Sequence, residues 1–188
     1  MAKRYGRALA TRFPSAVFRS GNAEGSDQAF SEGVVAVDAS RLYVVAPNAG
    51  HRRKHRHPDA TYEDPTSLTR VREEPTLRAT IAATPRNKDI FAAGAPPRVA
   101  AKASYLIRDT MKAMGYSETD PVRPSPVFVW TWPAGGPGHT IRVCQQACVP
   151  VPVLFQGVWS DWIGELDSVC NTRKICSCQF KEFSLNCI

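Results

Sequence analysis

The stretch GVVAVDASRLYVVA, residues 33–46, decides how the chain is read. It holds two β-branched runs, Val34 to Val37 and Leu42 to Val45, around the polar break Asp38 to Arg41. Runs of that length and composition predict two short strands, or one interrupted strand. Asn48 and Gly50 follow as turn residues and deliver the chain into HRRKHRHP, residues 51–58. This stretch carries three histidines and four fixed cations with no acid, and it is expected on an exposed loop.

Downstream, residues 58–96 are polar and charge-mixed, with Pro58, Pro65, Pro75, Pro85 and Pro96 at roughly regular intervals. Proline fixes φ and removes a backbone donor, so this span is expected to be a semi-extended linker or a segment wrapped on a partner. PPRVAAKASYLIRDTMKAMGY, residues 96–116, is the clearest single element. Pro97 suits a first helical turn and Gly115 a C-terminal cap, which predicts a helix over 97–114. Val99, Ala103, Leu106, Ile107, Met111 and Met114 share one face, while Lys102, Ser104, Arg108, Asp109 and Lys112 share the other. That apolar face is the candidate partner-binding surface, although core packing satisfies the same pattern.

Beyond the helix, PVFVWTW (126–132), PAGGPG and HTIRVC read as a hairpin spanning 126–145, with Phe128, Trp130 and Trp132 on one side of its first strand. Residues 97–140 thus form a helix-and-Trp-strand region. Residues 141–188 differ in composition: Ala, Gly, Arg and Pro make up 60 of the first 140 residues but 7 of the last 48, and all six cysteines lie there. Cys144 and Cys148 have an acceptable spacing for zinc, with His139 nearby, but Cys176 and Cys178 are too close to complete a site. Free thiols are the expectation, with no metal and no cofactor.

Upstream, residues 1–23 contain Lys3, Arg4, Arg7, Arg12 and Arg19 and no acid. Read as a helix up to Pro14, they place Tyr5, Leu9 and Phe13 on one stripe beside the cations. An acid-free, Arg-rich amphipathic start has the composition of a mitochondrial targeting presequence, with a cut expected after Ser20. The whole chain carries a net charge of +7; without those five charges it is +2. Residues 24–57 then form a region of short strands and a basic loop. The two longest charge-free runs reach 18 residues each but are broken by prolines, so no transmembrane span is expected.

These features predict a small, irregular α+β protein with extensive proline-rich loops or disordered segments. None of the phosphate-loop, dinucleotide, zinc-protease or serine-hydrolase motifs occurs, so no catalytic residue is assigned. The expected function is a non-enzymatic mitochondrial accessory protein docking on a larger assembly. The alternative is a nuclear or nucleoid nucleic-acid-associated protein in which Arg52, Arg53, Lys54 and Arg56 make weak phosphate contacts. A largely disordered stress or regulatory protein is the third reading.

Overall fold

A computed structural model describes residues 1–64, 70–84, 96–115 and 134–149, together with the single positions 151, 161 and 164. Among them are five helices and a three-stranded parallel sheet, so the fold is small and mixes α and β. The helices are α1 (Ala2–Arg12), α2 (Ser26–Val35), α3 (Arg70–Ala82), α4 (Pro97–Met114) and α5 (Gly135–Gln146). The strands are β1 (Phe18–Ser20), β2 (Leu42–Val45) and β3 (Thr61–Glu63), in the order β1-β2-β3. Phe18 pairs with Leu42, and Tyr43 with Thr61.

The sheet is central to a core of Tyr5, Leu9, Ala10, Phe18, Val34, Leu42 and Val44. Four of these come from the first 20 residues. α1 buries Tyr5 and Leu9, one turn apart, and turns Lys3, Arg4 and Arg7 to solvent. Its last turn is tied down by Arg41, whose guanidinium donates to the carbonyls of Phe13 and Ala10, each at 2.9 Å. Carbonyls at a helix C-terminus have no partner within the helix and carry partial negative charge, so a cation bonded there both satisfies and neutralises them. α1 and α2 approach through Gly6 and Gly33, where a side chain would collide with the backbone of the opposite helix.

Three expectations are corrected. Val34 and Val35 close helix α2 rather than opening a strand. The helical signal lies upstream, where Phe30 and Val34 are one turn apart and Ser31 and Val34 are buried. The span 58–96 is not a linker throughout: it holds β3 and helix α3, which continues through Pro75. Thr76 and Thr80 are buried, and Thr80 bonds to Thr110 of α4 at 2.8 Å; this packing outweighs the backbone bond that proline cannot donate. The second strand of the hairpin is also absent: residues 135–146 form α5, with His139, Thr140, Val143 and Cys144 buried at helical spacing. The first strand, Phe128, Trp130 and Trp132 with it, lies outside the described residues.

The helix expected at 97–114 is α4, running from Pro97 to a Gly115 at φ 92°. Its polar face is not all solvated: Arg108 and Asp109 are 6% and 3% exposed. No described helix is long and apolar enough to cross a membrane.

Candidate anion-binding cleft

The connection from β2 to β3 carries the basic stretch, and its conformation is built locally. Asn48 Oδ1 accepts from the Gly50 amide at 3.1 Å and the Asn48 carbonyl from the His51 amide at 3.1 Å, forming the expected turn. Arg52 follows with φ 45° and ψ 38°, a left-handed conformation that costs a branched-at-Cβ-free residue roughly 1 kcal/mol. Arg53–His55 then make one exposed 3-10 turn. This folds the stretch back over α2, so it is only partly the exposed loop expected: Arg53 to His55 are exposed, whereas His51, Arg52, Arg56 and His57 are half-buried.

Between this segment and α2 lies a cleft of about 410 Å³. Asn22, Gln28, Ser31 and Glu32 form one wall, Arg52, Lys54, His55, Arg56 and His57 the other, and Val44 and Tyr62 also line it. Three of the four predicted phosphate contacts, Arg52, Lys54 and Arg56, therefore meet at one concavity; Arg53 does not line it. Among the described residues none of the four forms an ion pair with a carboxylate. Glu32 is the acid on the facing wall. Its bonds with Lys3 (3.1 Å) and Gln28 (3.1 Å) hold its carboxyl below the usual range, so it stays ionised with its charge turned toward Lys3.

The two inner arginines are held in place by neutral groups. Arg52 donates to Gln28 Oε1 at 2.7 Å. Arg56 donates to the Ala49 carbonyl at 2.8 Å and lies over the Tyr62 ring, 4.7 Å from its centroid. The Tyr62 hydroxyl in turn accepts from the His57 amide at 3.0 Å. Arg56 Nε is buried and has no acceptor among the described residues. A buried guanidinium donor without an acceptor costs about 1–3 kcal/mol, and because this atom is closed to solvent an anionic oxygen in the cleft would remove that cost only as the Arg56 side chain shifts to meet it.

Behind the cleft stands α4. Arg108 donates to the Gly21 carbonyl at 3.0 Å, at the carboxyl end of β1, and pairs with Asp109 at 2.7 Å. Lys112 joins Asp109 at 3.1 Å and Asp27 at 3.9 Å. Burial pushes the Asp109 carboxyl up, but the Lys112 and Arg108 cations outweigh it and hold it below the usual range. The apolar positions of the same helix point inward. Ala103 and Met111 are buried, Met111 packing with Val45 beside Ile107 and Tyr43. Met114 packs against Ala83, Ala113 and Val143, and Val99 and Leu106 are half-buried.

A second polar cluster joins α3, α4 and α5. His139 is fully buried, with Nδ1 at 3.1 Å from Thr84 Oγ1 and Nε2 at 3.0 Å from Thr110 Oγ1. Thr80 Oγ1 is 2.8 Å from Thr110 Oγ1. Both imidazole nitrogens are engaged by hydroxyls, so His139 does not join Cys144 and Cys148. Cys144 is buried among Ala83, Ala113, Val143 and Val149, and burial pushes its thiol up to about 12. Cys148 is exposed; the other four cysteines lie outside the described residues. Among the described residues no three His, Cys, Asp or Glu side chains are grouped to hold a metal.

The cleft wall contributed by Asn22, Gln28 and Ser31 and the support from Arg108 had no motif to announce them. The available signal was the Gly21 to Gly25 stretch after a short strand, a connection type that places the start of a helix beside the sheet's carboxyl edge. No protein-family model, curated protein or solved structure matches this chain.

Proposed function

We propose that this chain is a non-enzymatic binding protein whose cleft takes a phosphate-bearing ligand, either free or as part of a nucleic-acid strand. The observation that carries the reading is Arg56: stacked on Tyr62, fixed by Ala49, and left with a buried Nε–H that lacks an acceptor. Arg52 and Lys54 on the same wall add charge and form no direct ion pair, the Glu32 carboxylate across the cleft being bonded to Lys3 and Gln28. A volume of about 410 Å³ suits one phosphorylated group with its attached sugar or small organic moiety. Longer strands would make their further contacts with exposed Arg53 and Lys54.

Calorimetric titration with a nucleoside monophosphate and with a short single-stranded oligonucleotide, each at low and physiological salt, tests this. Saturable binding is expected, weakened about tenfold by Arg56→Gln, because one charge-assisted bond is worth roughly 1.5–3 kcal/mol. A steep salt slope for the oligonucleotide alone would assign the strand as ligand. No saturable binding of either at low salt would overturn the proposal. The mitochondrial accessory role expected from the N-terminal composition takes a restricted form here. A chain delivered there keeps α1 and β1, since these supply Tyr5, Leu9 and Phe18 to the core.

A further inference from the structure

The cleft is shaped by residues that do not line it. His51 begins the basic segment, and its Nε2 lies 3.2 Å from the Asn22 carbonyl. A carbonyl can only accept, so Nε2 carries the proton and Nδ1 presents a lone pair. Opposite Nδ1, at 3.4 Å, is the hydroxyl of Tyr105 on α4, which therefore donates. The two rings meet edge to face, with centroids 5.7 Å apart and planes at 89°. Tyr105 is itself backed by Arg108, whose guanidinium carbon lies 5.2 Å from the ring centroid and which also donates to the Gly21 carbonyl. One turn of α4 thus holds both walls: Gly21 and Asn22 on one side, His51 and Arg52 on the other. Asn22 and Arg52 both adopt positive φ, 56° and 45°, conformations that persist only where surrounding contacts enforce them.

We propose that Tyr105 and Arg108 are positioning residues for the phosphate-bearing ligand: Tyr105, through His51, sets where Arg52 to Arg56 stand, and Arg108, through Gly21, sets the facing wall. The inference rests on the reading of the cleft given above for its ligand, but not for its geometry. Tyr105 is 40% exposed and does not itself line the cleft, so a change there alters placement without removing a ligand contact.

The test uses the full chain with Tyr105→Phe, which keeps both ring contacts and removes only the hydroxyl donor. Two quantities are read: amide hydrogen exchange over residues 49–56 without ligand, and the dissociation constant for inorganic phosphate. Exchange across 49–56 is expected to quicken about tenfold, as in a segment released to local opening, while amides of the β2 core keep their protection. Phosphate affinity is expected to fall roughly three- to tenfold, the size of coupling that acts through neighbours. Wild-type exchange over 49–56 in the variant overturns the positioning role whatever the affinity. So does a uniform rise in exchange throughout the molecule, which marks a purely structural contribution. Faster local exchange combined with a wild-type chain that binds no phosphate leaves the positioning role standing and overturns the proposed function instead.

Discussion

Gly33 of α2 rests directly on the backbone of α1: a Cβ at this position would overlap the Lys3 carbonyl and stand 2.8 Å from the Arg7 nitrogen. The opposing atoms belong to a helix backbone and cannot swing aside. Gly33→Ala therefore forces the two helices apart and should destabilise the protein by roughly 3 kcal/mol, the upper range for overpacking. Gly50→Ala is the control, because the nearest atom to its Cβ is Asn48 Oδ1 at 3.6 Å, ordinary contact. Denaturant midpoints of the two variants check the difference.

Deleting residues 1–20 should abolish cooperative unfolding. The deletion removes Tyr5, Leu9, Ala10 and Phe18 from the core and strand β1 from the edge of β2. Losing a large buried side chain costs about 2–5 kcal/mol, and three such losses approach the entire 5–15 kcal/mol stability of a domain. Thermal unfolding followed by circular dichroism would show a broad, shallow transition. A sharp transition near that of the full chain would mean that this segment is dispensable, as a removable presequence requires.

Acid should weaken the protein before its carboxylates titrate. Burial drives the His139 pKa below its ordinary 6.5; the Asp109 charge raises it and Arg142 lowers it, with a net downward shift. A group whose folded-state pKa is depressed binds fewer protons when folded, so stability is intact above about 6.5 and declines as pH falls below it, by at most about 1.4 kcal/mol per pH unit. Asp109, also depressed, adds its loss only below its ordinary 3.8. Between 6.5 and 4.5 the slope belongs to His139, with a lesser share from His51, which is shifted the same way by partial burial and is less enclosed; below 4.5 the depressed Glu32 carboxyl begins to add its own loss. Chemical denaturation across this pH range should show the decline in the wild type and most of it removed in His139→Gln.

Legibility in the sequence followed the length and uniqueness of each pattern. Helix 97–114 was readable because Pro97 and Gly115 mark its ends and six apolar residues keep helical register between them. Strand 42–45 was readable from its unbroken run of strand-favouring residues, Leu42, Tyr43, Val44 and Val45. The six residues HTIRVC were too few to separate period 2 from period 3.6, and burial of His139, Thr140, Val143 and Cys144 shows which one packing chose. Pro75 concealed α3, since proline lowers helical preference but does not forbid a helix fixed by tertiary contacts. The N-terminal helix was visible as a helix, yet its cations beside an apolar stripe describe a presequence and a core-packed surface helix equally well.

The site was legible only in its charges. Arg52, Lys54 and Arg56 stood out in HRRKHRHP, but their meeting at one wall depends on the left-handed Arg52 and on bonds to Gln28 and Ala49 from elsewhere in the chain. Arg108 and Asp109 looked like solvated residues on a polar helix face because sequence spacing cannot show that a neighbouring loop covers them. Only the folded chain brings Gly21 to Arg108.

The most direct measurement of the central claim is the side-chain Nε–H resonance of Arg56, followed by nitrogen-15 NMR while inorganic phosphate is added at low salt. Binding in the cleft predicts a saturable downfield shift of that proton as its missing acceptor arrives, together with slowed exchange with water. The resonance is assigned by its absence in Arg56→Gln, and its shift should persist, with lower affinity, in Arg52→Gln. A resonance that does not move while phosphate is raised well beyond millimolar concentration would contradict the assignment of this cleft as an anion site.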